Sequence, residues 1–307
     1  MSVIKDAKST HWVYSLKKEF IPYAQLARLD RPIGSYLLLF PCLFSLFLAI
    51  ASPIGKQSSI MQAIGYALLF FIGSIVMRGA GCTVNDLADI EIDKQVDRTK
   101  LRPLACGSVS KRNAFLFLLL QCLIGLAVLV QFNFKVIITA FAFSIIAVIY
   151  PFTKRYIYFP QLFLGLSFGS GAILGWLAIK DSWHISILYL YIAQMCWTMG
   201  YDTIYAYQDV EDDVKVGIGS TAIYMGANPY PLLIALYGVF VVFMALAIYY
   251  AKLSAIAYLF LAIAAIHLIW QIYTLDIKDT QRCLALFKAN GFVGIIISLG
   301  LLISYLV

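Results

Sequence analysis

The chain has 307 residues, of which 62% are hydrophobic and only 13% charged, with a formal net charge of +7. A soluble globular domain is nearer a quarter charged. The mean hydropathy of +0.86 points the same way and replaces the length-based prior of two soluble domains with an integral membrane protein. The basic residues distribute by membrane topology, so no nucleic-acid partner is expected. Six cysteines (Cys42, Cys82, Cys106, Cys122, Cys196 and Cys283) form no CxxC pair and lie mostly in apolar runs. They read as small packing residues, not as a metal or disulfide framework.

Residues 1–31 carry Lys5, Lys8, Lys17, Lys18, Arg28 and Arg31. No apolar core precedes a small-residue cleavage site, so this is no signal peptide, and Asp6, Glu19 and Asp30 weaken a transit-peptide reading. Around 12–29 the pattern is amphipathic and suits the cytoplasmic membrane surface. The expected organisation is this segment at 1–31, then a single transmembrane domain at 32–307.

Uncharged runs follow at roughly 32–51, 57–77, 113–132, 136–152, 157–179, 185–201, 230–251, 253–275 and 289–307. Each is near the ~20 residues that span a hydrocarbon core. The expectation is all-α, with about nine transmembrane helices; a count of eight makes one shorter run re-entrant. With the amino end cytoplasmic, nineteen basic residues fall inside and four (Lys56, Lys135, Lys180 and Lys252) outside. That asymmetry places the amino terminus inside and the carboxyl terminus outside.

Of sixteen acidic residues, only Asp181 lies outside. Two clusters hold most of the rest: Asp86, Asp89, Glu91, Asp93 and Asp97, then Asp209, Glu211, Asp212 and Asp213, with Asp202 nearby. Asp89 and Asp93 are four apart, as are Asp209 and Asp213, and the pairs are offset by 120 residues. The pattern reads as an internal repeat of two four-helix halves around a central cavity, where membrane proteins commonly bind substrate.

In the first cluster, Asn85, Asp89 and Asp93 recur every four residues and share one face of a helix. Asp86 and Glu91 fall off that face and read as solvated or supporting. Carboxylates and an amide oxygen are hard ligands that suit Mg²⁺, which takes one or two protein carboxylates and completes its shell with water and phosphate oxygens. Two such clusters imply a phosphorylated ligand. Arg98, Lys100 and Arg102 follow within ten residues of Asp93 and can neutralise a diphosphate, and Pro103 ends any helix there. In the second cluster, Asp202, Tyr205, Asp209 and Asp213 stand at i, i+3, i+7 and i+11 on one helical face, with Lys215 beyond. Lys154 and Arg155 end the fourth run, and an arginine there can grip a carboxylate bidentately. Gly165, Gly169, Gly171 and Gly175 make two GxxxG spacings that read as helix packing.

These stretches resemble the UbiA superfamily of intramembrane prenyltransferases, and within it the branch acting on 4-hydroxybenzoate. NxxxDxxxD stands as Asn85, Asp89 and Asp93, and RTxxRPL as Arg98 to Leu104. YDTxYAxxDxxDD stands as Tyr201 to Asp213, with Glu211 between the aspartates, and LDRPIG and YPxxKR stand at Leu29 to Gly34 and Tyr150 to Arg155. The resemblance implies nine helices around a cavity open to lipid, with Mg²⁺ ions bridging a diphosphate. Asn85, Asp89 and Asp93 would serve one ion, and Asp209 and Asp213 the other. Arg98, Lys100, Arg102 and Lys215 would hold the diphosphate, and Arg155, or Arg31, the aromatic acid. Asp202 would orient the site or accept the ring proton, with Tyr205 beside it.

The implied substrates are a polyprenyl diphosphate and 4-hydroxybenzoate, drawn in part from the bilayer, with no obligate protein partner. The bacterial inner membrane is the expected location, and the mitochondrial inner membrane the alternative. Rival readings are a sister prenyltransferase with another acceptor and an ion-coupled transporter.

Overall fold

The computed structural model describes residues 10–307, so Lys5, Asp6 and Lys8 lie outside the described residues. A 3-10 turn at Trp12–Ser15 leads to α1 (Ile21–Leu26), α2 (Ile33–Ala51), α3 (Ile60–Ala88), α4 (Ile90–Asp93) and α5 (Lys111–Leu129). Next come α6 (Phe134–Thr153), α7 (Pro160–Gly169), α8 (Gly171–Lys180), α9 (Ile185–Ala206), α10 (Val210–Val216) and α11 (Thr221–Met225). The last three are α12 (Tyr230–Tyr250), α13 (Ala255–Tyr273) and α14 (Thr280–Leu306). No strand occurs among the described residues.

Eight spans among the described residues are long and apolar enough to cross a membrane, with α7 and α8 counted together as Pro160–Lys180. Helix α9, of 22 residues, fills the one remaining uncharged run, at 185–201. The all-α, polytopic expectation of about nine helices therefore holds. Two runs differ in detail. The run at 57–77 continues as a helix to Ala88, giving 29 residues. At 1.5 Å per residue that is about 43 Å, well beyond a ~30 Å hydrocarbon core, so the last turns can carry Asn85 and Asp86 clear of the apolar layer.

The run at 157–179 divides at Ser170 into α7 and α8. The division assigns the two GxxxG pairs to different neighbours. A Cβ on Gly165 would meet the Met195 carbonyl at 2.8 Å, and one on Gly169 the Tyr191 ring at 3.1 Å, so α7 lies close against α9. A Cβ on Gly171 would meet the Cys42 nitrogen at 2.7 Å, and one on Gly175 the Leu46 nitrogen at 2.7 Å, so α8 lies against α2. Ser45 seals that second contact by accepting from Trp176 N at 2.6 Å. Small residues let backbones approach where no hydrophobic force distinguishes lipid from protein.

The chain forms two compact units. The first joins the described part of 1–36 to 71–131. Its core is Leu26, Ile90, Leu104, Val109 and Ala114, with Tyr23, Leu87 and Phe117 packed on it. These side chains seat α1, α4 and the loop before α5 against one another. The amphipathic stretch at 12–29 forms the 3-10 turn and α1, burying Val13, Ile21 and Ala24 while Trp12 and Phe20 stay exposed.

The second unit joins 37–70 to 132–307. A ring stack runs through it: Phe44 on Trp197 at 5.8 Å, and Trp197 on Phe240 at 5.7 Å. On α5 and α6, Phe115, Leu119, Leu123, Phe141, Ile145 and Val148 are exposed, the faces such helices turn to lipid tails.

Candidate active site

The first acidic motif sits where α3 ends. Asp89 leaves helical geometry (φ −107°, ψ 14°), and the single turn of α4 follows. The motif is therefore bent at Asp89, and the uninterrupted helical face expected from the spacing is not formed. Hydrogen bonds nonetheless keep the four-residue rhythm across the bend, with Asp89 N donating to Asn85 O at 3.0 Å and Asp93 N to Asp89 O at 2.8 Å. Asp86, Asp89 and Asp93 are all buried, whereas Asn85 is half-buried.

Burying carboxylates requires compensation. Asp86 is fully enclosed, not solvated, and accepts from Arg28 Nη2 at 2.6 Å. Arg28 itself has a left-handed φ of 56° and ties its Nη1 to Gln25 O at 2.9 Å. Burial alone would pull the Arg28 guanidinium down, but the Asp86 carboxylate outweighs it and keeps Arg28 charged. Arg102 reaches both oxygens of Asp93 at 3.0 Å and Asp86 Oδ1 at 3.3 Å. Burial pushes the Asp93 carboxyl above the usual carboxylate range, and Arg102 opposes that without cancelling it. The loop is pinned by Thr99 Oγ1 donating to Asp93 O at 3.0 Å and by Arg102 N donating to Thr99 O at 2.8 Å.

The other cations of the loop are placed differently. Lys100 pairs with Asp97 at 2.6 Å on the surface, Lys94 with exposed Glu91 at 2.9 Å, and Arg98 is half-buried. Arg31 lies 3.4 Å from Asp30. Sequence reasoning missed the Arg28–Asp86 pair. The available signal was an aspartate one residue from the metal-type face, at the end of an apolar helix, which needs a cation from elsewhere.

The second motif repeats the local geometry. Helix α9 ends at Ala206, and Asp209 departs from the helix (φ −116°, ψ 0°) immediately before α10. Asp213 N donates to Asp209 O at 2.7 Å, as Asp93 N does to Asp89 O. Asp202 and Tyr205 thus lie on α9, Asp209 at the junction and Asp213 on α10, with no single helical face. All four are half-buried. Tyr205 packs its ring on Phe287 at 4.5 Å, and Lys215 pairs with Asp212 at 3.2 Å.

Beyond α10, Gly219 N donates to Lys154 O at 2.7 Å, and a Cβ at Gly219 would strike the Ile157 carbonyl carbon at 3.0 Å. The loop after the second motif therefore lies against the basic end of α6. Arg155 there is exposed and lies 5.8 Å over the Phe152 ring.

Among the described residues, no three His, Cys, Asp or Glu side chains converge to hold an ion by themselves. Mg²⁺ does not need that, because it keeps waters and phosphate oxygens around one or two carboxylates. Hard oxygen donors within short reach of arginine fit a divalent ion that arrives with a diphosphate, and they fit a soft metal poorly.

The chain is similar in sequence and fold to known proteins. The model of the UbiA prenyltransferase family matches residues 38–296. A curated relative from Arabidopsis thaliana, named 4-hydroxybenzoate polyprenyltransferase, mitochondrial, is 43% identical over 304 residues, covering 98% of this chain and 72% of its own. The apo structure of a UbiA homolog from Aeropyrum pernix K1 superposes with a TM-score of 0.73 at 27% identity, over 88% of this chain and 98% of that one. A UbiA homolog from Archaeoglobus fulgidus, solved with DMAPP and Mg²⁺ bound, superposes with a TM-score of 0.62 at 22% identity, over 90% of this chain and 99% of that one.

Proposed function

The chain belongs to the UbiA prenyltransferase family, and from that premise we propose that it transfers a polyprenyl group from its diphosphate to the ring of 4-hydroxybenzoate. The observation that carries the reading is the repeated acidic motif, bent at Asp89 and again at Asp209. The name of the Arabidopsis relative supports the acceptor, and the bound DMAPP and Mg²⁺ of the Archaeoglobus homolog support the donor class and the ion.

Asn85, Asp89 and Asp93 would hold one Mg²⁺, and Asp209 and Asp213 a second. When bound, the metal supplies positive charge to the departing diphosphate. Arg98, Lys100, Arg102 and Lys215 would add hydrogen bonds to the same leaving group. The allylic carbon–oxygen bond breaks as pyrophosphate leaves. A carbon–carbon bond then forms ortho to the phenol hydroxyl, and the ring loses a proton. Arg155, with Arg31 as the second choice, would fix the acceptor's carboxylate and so its orientation. Asp202 would accept the ring proton or orient the site, and Tyr205 would donate to a phosphate oxygen or face the developing cation. Apolar surroundings exclude water that would otherwise quench that cation.

For location, one reading is a bacterial inner membrane, with the amino terminus and acidic motifs cytoplasmic by the distribution of basic residues. The name of the mitochondrial relative favours the inner mitochondrial membrane as the second reading.

The test is incubation of purified protein with a polyprenyl diphosphate, 4-hydroxybenzoate and Mg²⁺, with mass analysis of the product. The expected result is prenylated hydroxybenzoate, lost on chelation and restored by Mg²⁺. Product from a different aromatic acceptor alone would overturn the substrate assignment.

A further inference from the structure

Arg28 and Arg102 both serve the first acidic motif, and they are not equivalent. Arg28 is locked in place. It is buried, its backbone is left-handed at φ 56°, and both its Nη atoms are engaged, with Gln25 O and Asp86. Asp86 has no exposure at all, so removing Arg28 would leave a buried carboxylate with only the longer, 3.3 Å contact to Arg102. A left-handed non-glycine residue persists only where its surroundings hold it, and here the ion pair is part of that hold.

Arg102 is placed to move. It rides on the loop between Asp93 and α5, its side chain is 16% exposed, and it spans two carboxylates. Its Nη1 lies at 3.0 Å from both oxygens of Asp93. Those are the atoms a divalent cation would need, and two cations cannot both lie against them without strong repulsion. An acceptor is waiting nearby. Asp86 Oδ2 is buried without a hydrogen-bond partner, while Oδ1 of the same carboxylate already lies 3.3 Å from Arg102 Nη1. A guanidinium released from Asp93 can therefore turn onto Asp86, satisfy that oxygen, and remain in the loop assigned to the diphosphate.

We propose that Arg102 is an exchangeable counter-ion that holds Asp93 in the empty protein and leaves it when a divalent cation binds, while Arg28 is a fixed positioning residue that keeps Asp86 and the end of α3 in place in both states. The proposal rests on the reading of Asp93 as a metal ligand. It gives the empty site a reason to be stable although its carboxylates are buried. It also makes metal binding a competition, so the ion is held weakly until a diphosphate arrives with its own oxygens.

The probe is Mn²⁺, titrated into the full chain in detergent at pH 8 with no prenyl donor, free ion being read by electron paramagnetic resonance. Arg102→Gln is expected to bind Mn²⁺ about tenfold more tightly than the parent, because its competitor is gone. Arg102→Lys keeps a cation and is expected to stay near the parent. Arg28→Gln is expected to bind Mn²⁺ more weakly, and Arg28→Lys to recover part of the loss. A residue with a merely structural role would weaken binding when removed, so the opposite sign at Arg102 is diagnostic. Unchanged or weaker Mn²⁺ binding by Arg102→Gln overturns the exchange.

A second measurement needs no substitution. Phenylglyoxal labelling of the unaltered protein, read by mass spectrometry, is expected to rise at Arg102 on adding Mn²⁺ and to stay flat at Arg28. No Mn²⁺-dependent rise at Arg102 overturns the exchange as well. If the unaltered protein binds Mn²⁺ with inorganic pyrophosphate but fails these tests, only the exchange falls. If it binds neither, the diphosphate site falls with it.

Discussion

Asn290→Leu tests how α9, the helix that leads into the second acidic motif, is held. Asn290 on α14 is fully buried. Its Oδ1 accepts from Trp197 Nε1 at 2.8 Å, and its Nδ2 donates to Gln271 Oε1 at 3.0 Å and to Leu286 O at 3.1 Å. One side chain therefore joins α9, α13 and α14. Leucine has the same number and branching of side-chain heavy atoms, with methyls larger than the amide O and N they replace, so no cavity opens, and the Leu286 carbonyl lies within its own helix. Two groups are stranded, the Trp197 N–H and Gln271 Oε1. In soluble proteins a stranded buried group costs about 1–3 kcal/mol, but polar pairs inside membrane proteins average nearer ~0.6 kcal/mol because the unfolded chain in lipid also finds partners. The expected loss is about 1–3 kcal/mol in total, read by steric trapping or SDS titration. Adding Gln271→Leu removes one stranded group and should return about half of that loss. If Asn290→Leu stays within about 0.3 kcal/mol of the parent, the network does not hold α9 and the reasoning fails.

Three further outcomes are expected. Asp89→Ala and Asp209→Ala should each lower turnover by at least about a hundredfold while the protein still inserts; a near-normal rate in either variant, measured by product formation, would remove the two-metal account. Gly175→Val should abolish the folded peak in detergent chromatography, since its side chain would meet backbone of Cys42 and Leu46 that cannot yield, whereas Gly65→Val, with nothing within 4 Å, should be silent. The His184 ring, stacked on Trp176 at 5.5 Å, should titrate below an ordinary imidazole, because burial first and Lys252 second disfavour its charge. With the folded pKa depressed, the stability this ring contributes is complete above about pH 6.5 and is lost as pH falls below that toward the folded pKa. An NMR midpoint at or above the ordinary value would contradict this, and Lys252→Gln should raise the midpoint.

Several features were legible in the residues alone. The cost of placing a side chain in hydrocarbon is local and nearly additive, so uncharged runs of about twenty residues were enough to indicate an all-helical membrane protein. The spacing Asn85–Asp89–Asp93 and its echo at Asp209 and Asp213 could be read for the same reason, since ligand type and four-residue rhythm are properties of a short stretch. The GxxxG spacings announced close packing, but not that Ser170 would direct one pair to α9 and the other to α2.

The Asn85–Asp93 stretch shows where local reading ends. Its residue types, an amide and carboxylates at four-residue spacing, are of the kind that suits a hard cation and a phosphorylated ligand. Spacing alone predicted one continuous face, and tertiary structure decided on a bend at Asp89, matched at Asp209, that an ideal helical count does not contain. It also decided that Asp86, placed on the wrong face by periodicity, is the most deeply enclosed carboxylate of the group, paired with Arg28 58 residues away. Which arginine meets which aspartate depends on the path of the chain and on what each side chain loses by leaving water. Neither quantity exists in a sequence until the segments have packed.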